Sequence, residues 1–334
     1  MHSSIVTDIE STLVQMTQVY ASSVGTYPSL QPEYLAAYQQ YKASRGSKVR
    51  LLCFWEDEKL IGYLPFEVRT RWGVRMQVAF LPVCVGESEV AYVPLLQQAV
   101  DILSGFLRRT VFRTHPHDPY ITEALSFLDR RGARSIDFVT HIVDETSRPG
   151  KTVRQLVRKA KNAGCTIHDD WSRRIFDSFY EACIRQSRER KHVAVDGSAD
   201  DVYIFFDSLI KKNIGAFLYV RDVAGTIVSG YLLVYDTQTC VHVFGATSNQ
   251  GLELYAGYLN TDAAVSWCMK RGITFDLYGV VKDPRMQKYQ GDFTYGFKKK
   301  WGKEVAVPQR VCAGFFLSSI EAFLFQLMYR RYDR

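Results

Sequence analysis

The seven cysteines, Cys53, Cys84, Cys165, Cys183, Cys240, Cys268 and Cys312, form no CxxC pair, and their number is odd. Both facts argue against a disulfide framework and against a zinc site. In apolar surroundings they read as reduced thiols acting as small core hydrophobes, which places the protein in the cytoplasm. No stretch of ~18 uncharged apolar residues occurs, so no membrane span is expected. The nearest approach, Val311 to Tyr329, is interrupted by Glu321. The first ten residues lack the basic region and apolar run of a signal peptide. The seven histidines are scattered. His115 and His117 form an HxH, but Pro116 splits it and Pro119 follows, which predicts a turn with surface histidines and no metal.

What is present is a globular composition: 334 residues, 47% hydrophobic and 23% charged. That length suits two domains. There are 42 Lys+Arg against 35 Asp+Glu, a surplus of +7. The surplus is mild but unevenly placed. Residues 148–161 and 185–191 hold ten cations with one acidic residue, and 282–303 holds seven with two. An anionic partner would dock in this half of the chain.

One unit is used twice. Residues 49–68, VRLLCFWEDEKLIGYLPFEV, and 216–235, AFLYVRDVAGTIVSGYLLVY, both read as strand, charged turn, strand. Each second strand carries a glycine, Gly62 or Gly230, where a bulge or close approach is the usual cause. After the first hairpin come a strand (77–83), a helix (93–107) and a strand (110–113). After the second come a strand (240–246), a helix (254–270) and a strand (274–278). The order is β-hairpin, β, α, β in each, and the final helix-to-strand step implies a crossover onto a mixed sheet. Between the copies, 119–131 reads as a helix, 135–143 as a strand, and Arg148-Pro149-Gly150 as a break. The domains are therefore expected at 1–147 and 148–334. Residues 152–164 then form a helix with a Thr cap and a terminal glycine, and further helices follow at 174–190 and 200–213.

This α+β architecture resembles two tandem acetyltransferase-like (GNAT-like) domains, mixed sheets flanked by helices. Residues 254–302, LYAGYLNTDAAVSWCMKRGITFDLYGVVKDPRMQKYQGDFTYGFKKKWG, narrow the resemblance. Tyrosines at a helix start, a Trp inside the helix, an Asp-Φ-x-Gly strand end (FDLYG), a long loop and YGFKKKWG are similar to the closing segment of the FemABX family. Residues 152–164 and 179–191 look like that family's basic helix and the helix after it. The resemblance implies an aminoacyltransferase that moves an amino acid from aminoacyl-tRNA to an amine of a peptide. The acceptor would be a nucleotide- or lipid-linked cell-wall precursor, or a peptide antibiotic. It implies no cofactor beyond the aminoacyl-tRNA co-substrate and no metal. No heptad run long enough for the coiled-coil arm of some members is present. The related BioF2-like group, using acyl-CoA or an acyl carrier, is the alternative. A pyrophosphate loop of the R/Q-x-x-G-x-G/A type is missing; the nearest stretch is 245–251, GATSNQG.

The resemblance also implies site residues. Lys298 matches the family's site lysine, a cation for the oxyanion or for a phosphate of the tRNA terminus. Phe297 would stack on the terminal adenosine. If 293–300 is a strand, alternation sets Phe297 and Lys299 against Lys298 and Lys300. Arg190 and Arg188 would hold an acceptor diphosphate, Tyr255 and Tyr258 would contact the acceptor, and Lys42 would face its phosphates. Arg154, Arg158 and Lys161 line one helical face and suit a tRNA backbone. Residues 311–334 read as a helix, packed across the domains or lying on a membrane surface.

Overall fold

The computed structural model describes residues 1–23, 25–71, 74–85, 89–104, 108–189, 198–281 and 292–313. They fall into two compact units. Met1–Val139 and 306–313 form the first, and Thr140–Val280 and 292–305 the second.

The first unit contains β1 (His2–Val6), α1 (Leu13–Ala21), α2 (Pro32–Ala43), β2 (Lys48–Glu56), β3 (Lys59–Arg71), β4 (Val74–Phe80), β5 (Val83–Cys84), α3 (Glu89–Leu103), β6 (Arg108–Arg113), α4 (Ile121–Arg130) and β7 (Arg134–Ile136). The chain then enters the second sheet along β8 (Phe138–Val143). There follow α5 (Lys151–Asn162), β9 (Thr166–His168) and α6 (Arg173–Phe179), which runs through a π-helical turn (Tyr180–Arg185) into α7 (Gln186–Glu189). Next come α8 (Ala199–Lys211), β10 (Gly215–Arg221), β11 (Ile227–Tyr235), β12 (Thr239–Thr247), α9 (Asn249–Glu253), α10 (Ala256–Met269), β13 (Thr274–Asp276), β14 (Val280–Val281), α11 (Asp292–Lys298) and β15 (Lys303–Ala306). The last described strand, β16 (Gln309–Ala313), returns to the first sheet.

Strand order is β1-β2-β3-β4-β6-β16-β7 in one sheet, with β5 on β3, and β14-β8-β13-β12-β11-β10-β9 in the other, with β15 on β8. Each sheet buries an apolar face under helices. Leu52, Phe54, Leu64, Leu96 and Phe112 centre the first core. Leu218, Leu233, Ala264, Phe275 and Trp301 centre the second.

The duplicated unit is present in both halves: antiparallel hairpin, antiparallel third strand, helix, and a strand parallel to the third. The copies differ at that parallel pair. In the first, β4 and β6 pair over six positions, Arg75↔Arg108 to Phe80↔Arg113. In the second, β12 and β13 pair over three, Thr239↔Thr274 to Val241↔Asp276, while β12 runs on to Thr247. The second sheet therefore splits open beyond Val241, leaving one edge of β12 without its parallel neighbour.

Both hairpin glycines mark close approaches. At Gly62 a Cβ would lie 3.0 Å from the Val83 carbonyl oxygen, one residue from a register shift in β3. At Gly230 it would lie 2.6 Å from the Phe179 ring and 2.9 Å from Phe217, both fully buried. Gly230→Ala should cost about 1–3 kcal/mol in urea unfolding, since neither ring has room to retreat.

Several sequence expectations change in the structure. The single strand expected over 135–143 is two strands, β7 and β8, in different sheets. The helix expected over 254–270 is broken at Tyr255, whose φ is +57°. Gly150, with no side-chain bond, caps α5 in place of Thr152. Residues 293–300, whose faces would alternate in a strand, are the helix α11 followed by a turn. Spacing of four residues wins there, because it lets Phe297 and Trp301 join one aromatic group with Tyr258. Of the helix expected from Val311, Val311–Ala313 lie in β16; the rest, 314–334, lies outside the described residues. Relative to a boundary at 147/148, the division places 140–147 in the second unit and 306–313 in the first, because β16 pairs with β6 and β7. His115 is not a surface residue. It is buried against Tyr27, rings stacked at 4.9 Å, and burial pushes its pKa down to about 3.

Candidate active site

Beside the part of β12 that β13 does not pair, residues of the second unit come together. Three elements supply them: the bulged end of β12, the turn after β13, and the end of α11.

In β12, Leu232 faces Phe244 and Leu233 faces His242, so Val243 is an extra residue. This bulge turns His242 to the same sheet face as Tyr231 and Gly245. The His242 and Tyr231 rings lie 4.3 Å apart. Gly245 leaves the space for the imidazole: a Cβ there would come within 2.4 Å of His242 Nε2. Tyr231 Oη bonds to the Gly257 carbonyl (3.2 Å) and to Thr261 Oγ1 (3.0 Å), both on α10. His242 Nε2 is shielded from solvent and has no hydrogen-bond partner among the described residues. Burial first, and the Lys298 charge second, push His242 down to about 3, so the ring is neutral at physiological pH.

After β13 the chain turns sharply. Asp276, fully buried, accepts the Tyr278 backbone N–H at 2.7 Å and a hydroxyl hydrogen bond from Thr140. Tyr278 adopts a left-handed backbone, φ +65°, a conformation costly for an aromatic residue. Its carbonyl accepts from Lys298 Nζ at 2.9 Å. Lys298 is buried at the end of α11. Burial pulls its pKa down to about 8, opposed by the Asp276 carboxylate. The helix is pinned on its other side too: Tyr295 meets His141 edge-on at 5.6 Å and donates to Glu304 at 2.7 Å.

The residues singled out from the sequence are placed as follows. Lys298, Phe297 and Tyr258 come together, the Phe297 and Tyr258 rings edge to face at 4.9 Å. Phe297 also packs toward Trp301, so much of its ring is committed to the core. Tyr258 Oη accepts from Lys300 Nζ at 3.2 Å. Tyr255, at the left-handed break before α10, lies under Lys159 Nζ at 5.5 Å. Arg188 is half-buried and bonds to Tyr180 Oη at 2.6 Å. Arg190 lies outside the described residues. Lys42 belongs to the first unit, where it is buried 3.4 Å from Glu67, itself bonded by Tyr38 Oη at 3.2 Å. Its charge is met within that unit. Arg154, Arg158 and Lys161 are exposed on α5, on the face beside the buried Val153, Val157 and Ala160. Lys161 has a loose neighbour in Asp262 at 3.8 Å.

Sequence reading gave no site role to His242, Asp276 or Tyr231. A signal existed for each: a histidine inside the apolar run Val241 to Phe244, an acid closing an apolar strand, and a tyrosine next to the hairpin glycine.

A buried ammonium and a neutral imidazole acceptor at a split sheet edge can do definite chemistry. The cation can stabilise negative charge developing on a carbonyl oxygen, and the imidazole can accept an N–H or O–H from a bound group.

No family model matches the chain, and no curated protein matches it in sequence. Solved structures do match in fold. The crystal structure of FemX superposes with a TM-score of 0.67 at 14% identity, covering 98% of this chain and 100% of that one. The C-terminal domain of a putative lysylphosphatidylglycerol synthetase from Agrobacterium fabrum gives 0.64 at 14% identity, covering 96% of each. A tandem GNAT protein from the clavulanic acid biosynthesis pathway gives 0.54 at 8% identity, covering 95% of this chain and 100% of that one. The chain thus has the tandem GNAT fold, in the FemX-like form that its sequence resemblance implied.

Proposed function

We propose that the protein is an aminoacyltransferase that moves an amino acid from aminoacyl-tRNA to an amine of a peptide acceptor, forming a peptide bond. The observation that carries the reading is the buried Lys298 ammonium at the split edge of the second sheet, in a chain that has the fold of FemX over nearly its whole length. An aminoacyl ester is already activated. Its attack by an amine needs two held substrates and a cation or donor for the oxyanion, and no nucleophile of the enzyme's own. Lys298 supplies that cation. Phe297 and Tyr258 form the wall beside it, and Tyr255, Arg188 and Arg190 are assigned to the acceptor. Lys42 was assigned there from the sequence; its pairing with Glu67 argues for a structural role instead.

The donor is tRNA in this reading, with CoA the rival. Two details favour tRNA. At the junction of β12 and α9, where a pyrophosphate would need free backbone N–H groups, that of Asn249 is held by Gln186 Oε1 at 2.8 Å and that of Gly251 by Ser248 Oγ at 2.9 Å. On α5, Arg154, Arg158 and Lys161 present exposed charge suited to a phosphate backbone.

The test uses tRNA charged with radiolabelled amino acid and a peptide acceptor bearing a free amine, with and without RNase. Transfer should stop when the tRNA is digested; product from an acyl thioester in RNase-treated enzyme would replace this reading with the CoA one. Replacing Arg154, Arg158 and Lys161 together by alanine should weaken tRNA binding and lower the salt slope of log K by about 2–3.

A further inference from the structure

Lys298 is held by a device that the reaction chemistry does not itself explain. Its Nζ donates to a carbonyl oxygen, that of Tyr278, and the carboxylate charge nearest to it in effect, Asp276, is engaged elsewhere. Asp276 receives the Tyr278 N–H at 2.7 Å, two residues along the chain, and the Thr140 hydroxyl from β8. An acid bonding the N–H two residues on closes a tight turn. Here it closes over a left-handed tyrosine, a conformation persisting only where the surroundings impose it. The Leu277 N–H, bonded to the His141 carbonyl at 3.0 Å, fixes the middle of the turn. The result aims the Tyr278 carbonyl at the end of α11.

We infer that Asp276 is the positioning residue of Lys298: through the Asp276–Tyr278 turn it fixes where the ammonium sits, and it sets a buried negative charge beside that turn. The two functions are joined because one carboxylate does both. The inference concerns the same lysine that the proposed transfer reaction uses, and so rests on that reading for its catalytic meaning.

The groups facing Lys298 come from each neighbouring element. From β13 there is the Asp276 carboxylate, and from the turn the Tyr278 carbonyl. From β12 there is the His242 ring, neutral and carrying no charge of its own. On α11 and the turn after it, Lys299 and Lys300 are exposed, Lys300 drawn to Tyr258, and Tyr295 is bonded to Glu304. Asp276 is thus the buried anion acting on the site, with burial working against it.

Three variants separate charge from geometry. Asp276→Asn keeps an oxygen for the turn and removes the charge. Thr140→Val removes one bond to Asp276 and keeps its charge. Asp262→Asn, beside Lys161 on the exposed face of α10, is the control carboxylate. The primary readout is the titration midpoint of the Lys298 ζ nitrogen by NMR, which needs no substrate. It should fall by about one pH unit or more, tenfold or more in proton affinity, in Asp276→Asn. It should move little in Thr140→Val and not at all in Asp262→Asn. In transfer assays the alkaline limb of kcat should move down by the same amount in Asp276→Asn. A Lys298 midpoint unmoved by Asp276→Asn in folded protein would overturn the inference. So would a loss of kcat in that variant with an unchanged pH profile. If Asp276→Asn does not fold, Asp276→Glu decides: it retains the charge but not the turn, and should keep a charged lysine with reduced kcat; a shifted midpoint at full kcat would refute the positioning role. Absence of any transfer from charged tRNA would reject the proposed reaction and leave the NMR result standing by itself.

Discussion

Lys298→Met should lose about 10²–10³-fold in kcat and still be at least as stable as the native protein at pH 7. The two effects have one origin. A lysine whose pKa falls from 10.5 unfolded to about 8 folded is a burdened cation. Between pH 8 and 10.5 the unfolded chain binds more protons than the folded one, so stability rises with pH across that window. Below pH 8 the whole burden is present, about 3 kcal/mol at ~1.4 kcal/mol per unit. Methionine has a similar stem and no charge. It forfeits one hydrogen bond, that from Nζ to the Tyr278 carbonyl. The variant's advantage should be near 1–2 kcal/mol at pH 7 and should vanish above pH 10.5. Urea unfolding at the two pH values, beside single-turnover kinetics, checks both. Equal losses of activity and stability would mean Lys298 is a structural residue.

The second large effect is in acid and belongs to the first unit. His115 is buried, stacked on Tyr27, and held neutral down to about pH 3 against 6.5 unfolded. The unfolded state takes up its proton first as pH falls, so stability present above pH 6.5 is lost progressively down to pH 3. At pH 4 that loss is about 3 kcal/mol. Asp118 works the other way. Burial raises it to about 6, so the folded state gains protons before the unfolded one and recovers part of the loss. Because Asp118 is common to both proteins, comparing His115→Phe with the native chain isolates the histidine. The variant should be more resistant to urea than the native protein at pH 4, by about 3 kcal/mol, and nearly equal to it above pH 7. Parallel stability curves across that range would refute the account.

Much of the fold was legible in the sequence because its signals are local. Strand–turn–strand patterns with a glycine in fixed place revealed the duplication, and the helix expected over 200–213 is α8, which Ser198 and Asp201 cap reciprocally in the structure. What could not be read is decided at a distance. Nothing in Arg134 to Val143 tells that Asp137 separates strands of two sheets. Nothing in Gln309 to Ala313 tells that it pairs with residues nearly 200 positions away. The same holds for the site. Lys298 and Asp276 were visible through motifs, but His242 takes part only because Val243 is an extra residue in β12, and the role of Asp276 follows only from its turn meeting α11. A bulge and a left-handed tyrosine are tertiary facts with weak local traces.

The return of β16 has a consequence for how the molecule is made. β16 lies between β6 and β7, so the first sheet lacks an interior strand until residue 313 has been synthesised. The first repeat therefore cannot finish folding as it leaves the ribosome, although it is translated first. The second repeat, whose strands β10 to β13 are contiguous in the chain, draws its last described strand, β15, from residues 303–306, before β16 is made. Translation order and completion order are reversed, and a nascent chain stopped short of residue 309 would leave β6 and β7 as facing open edges.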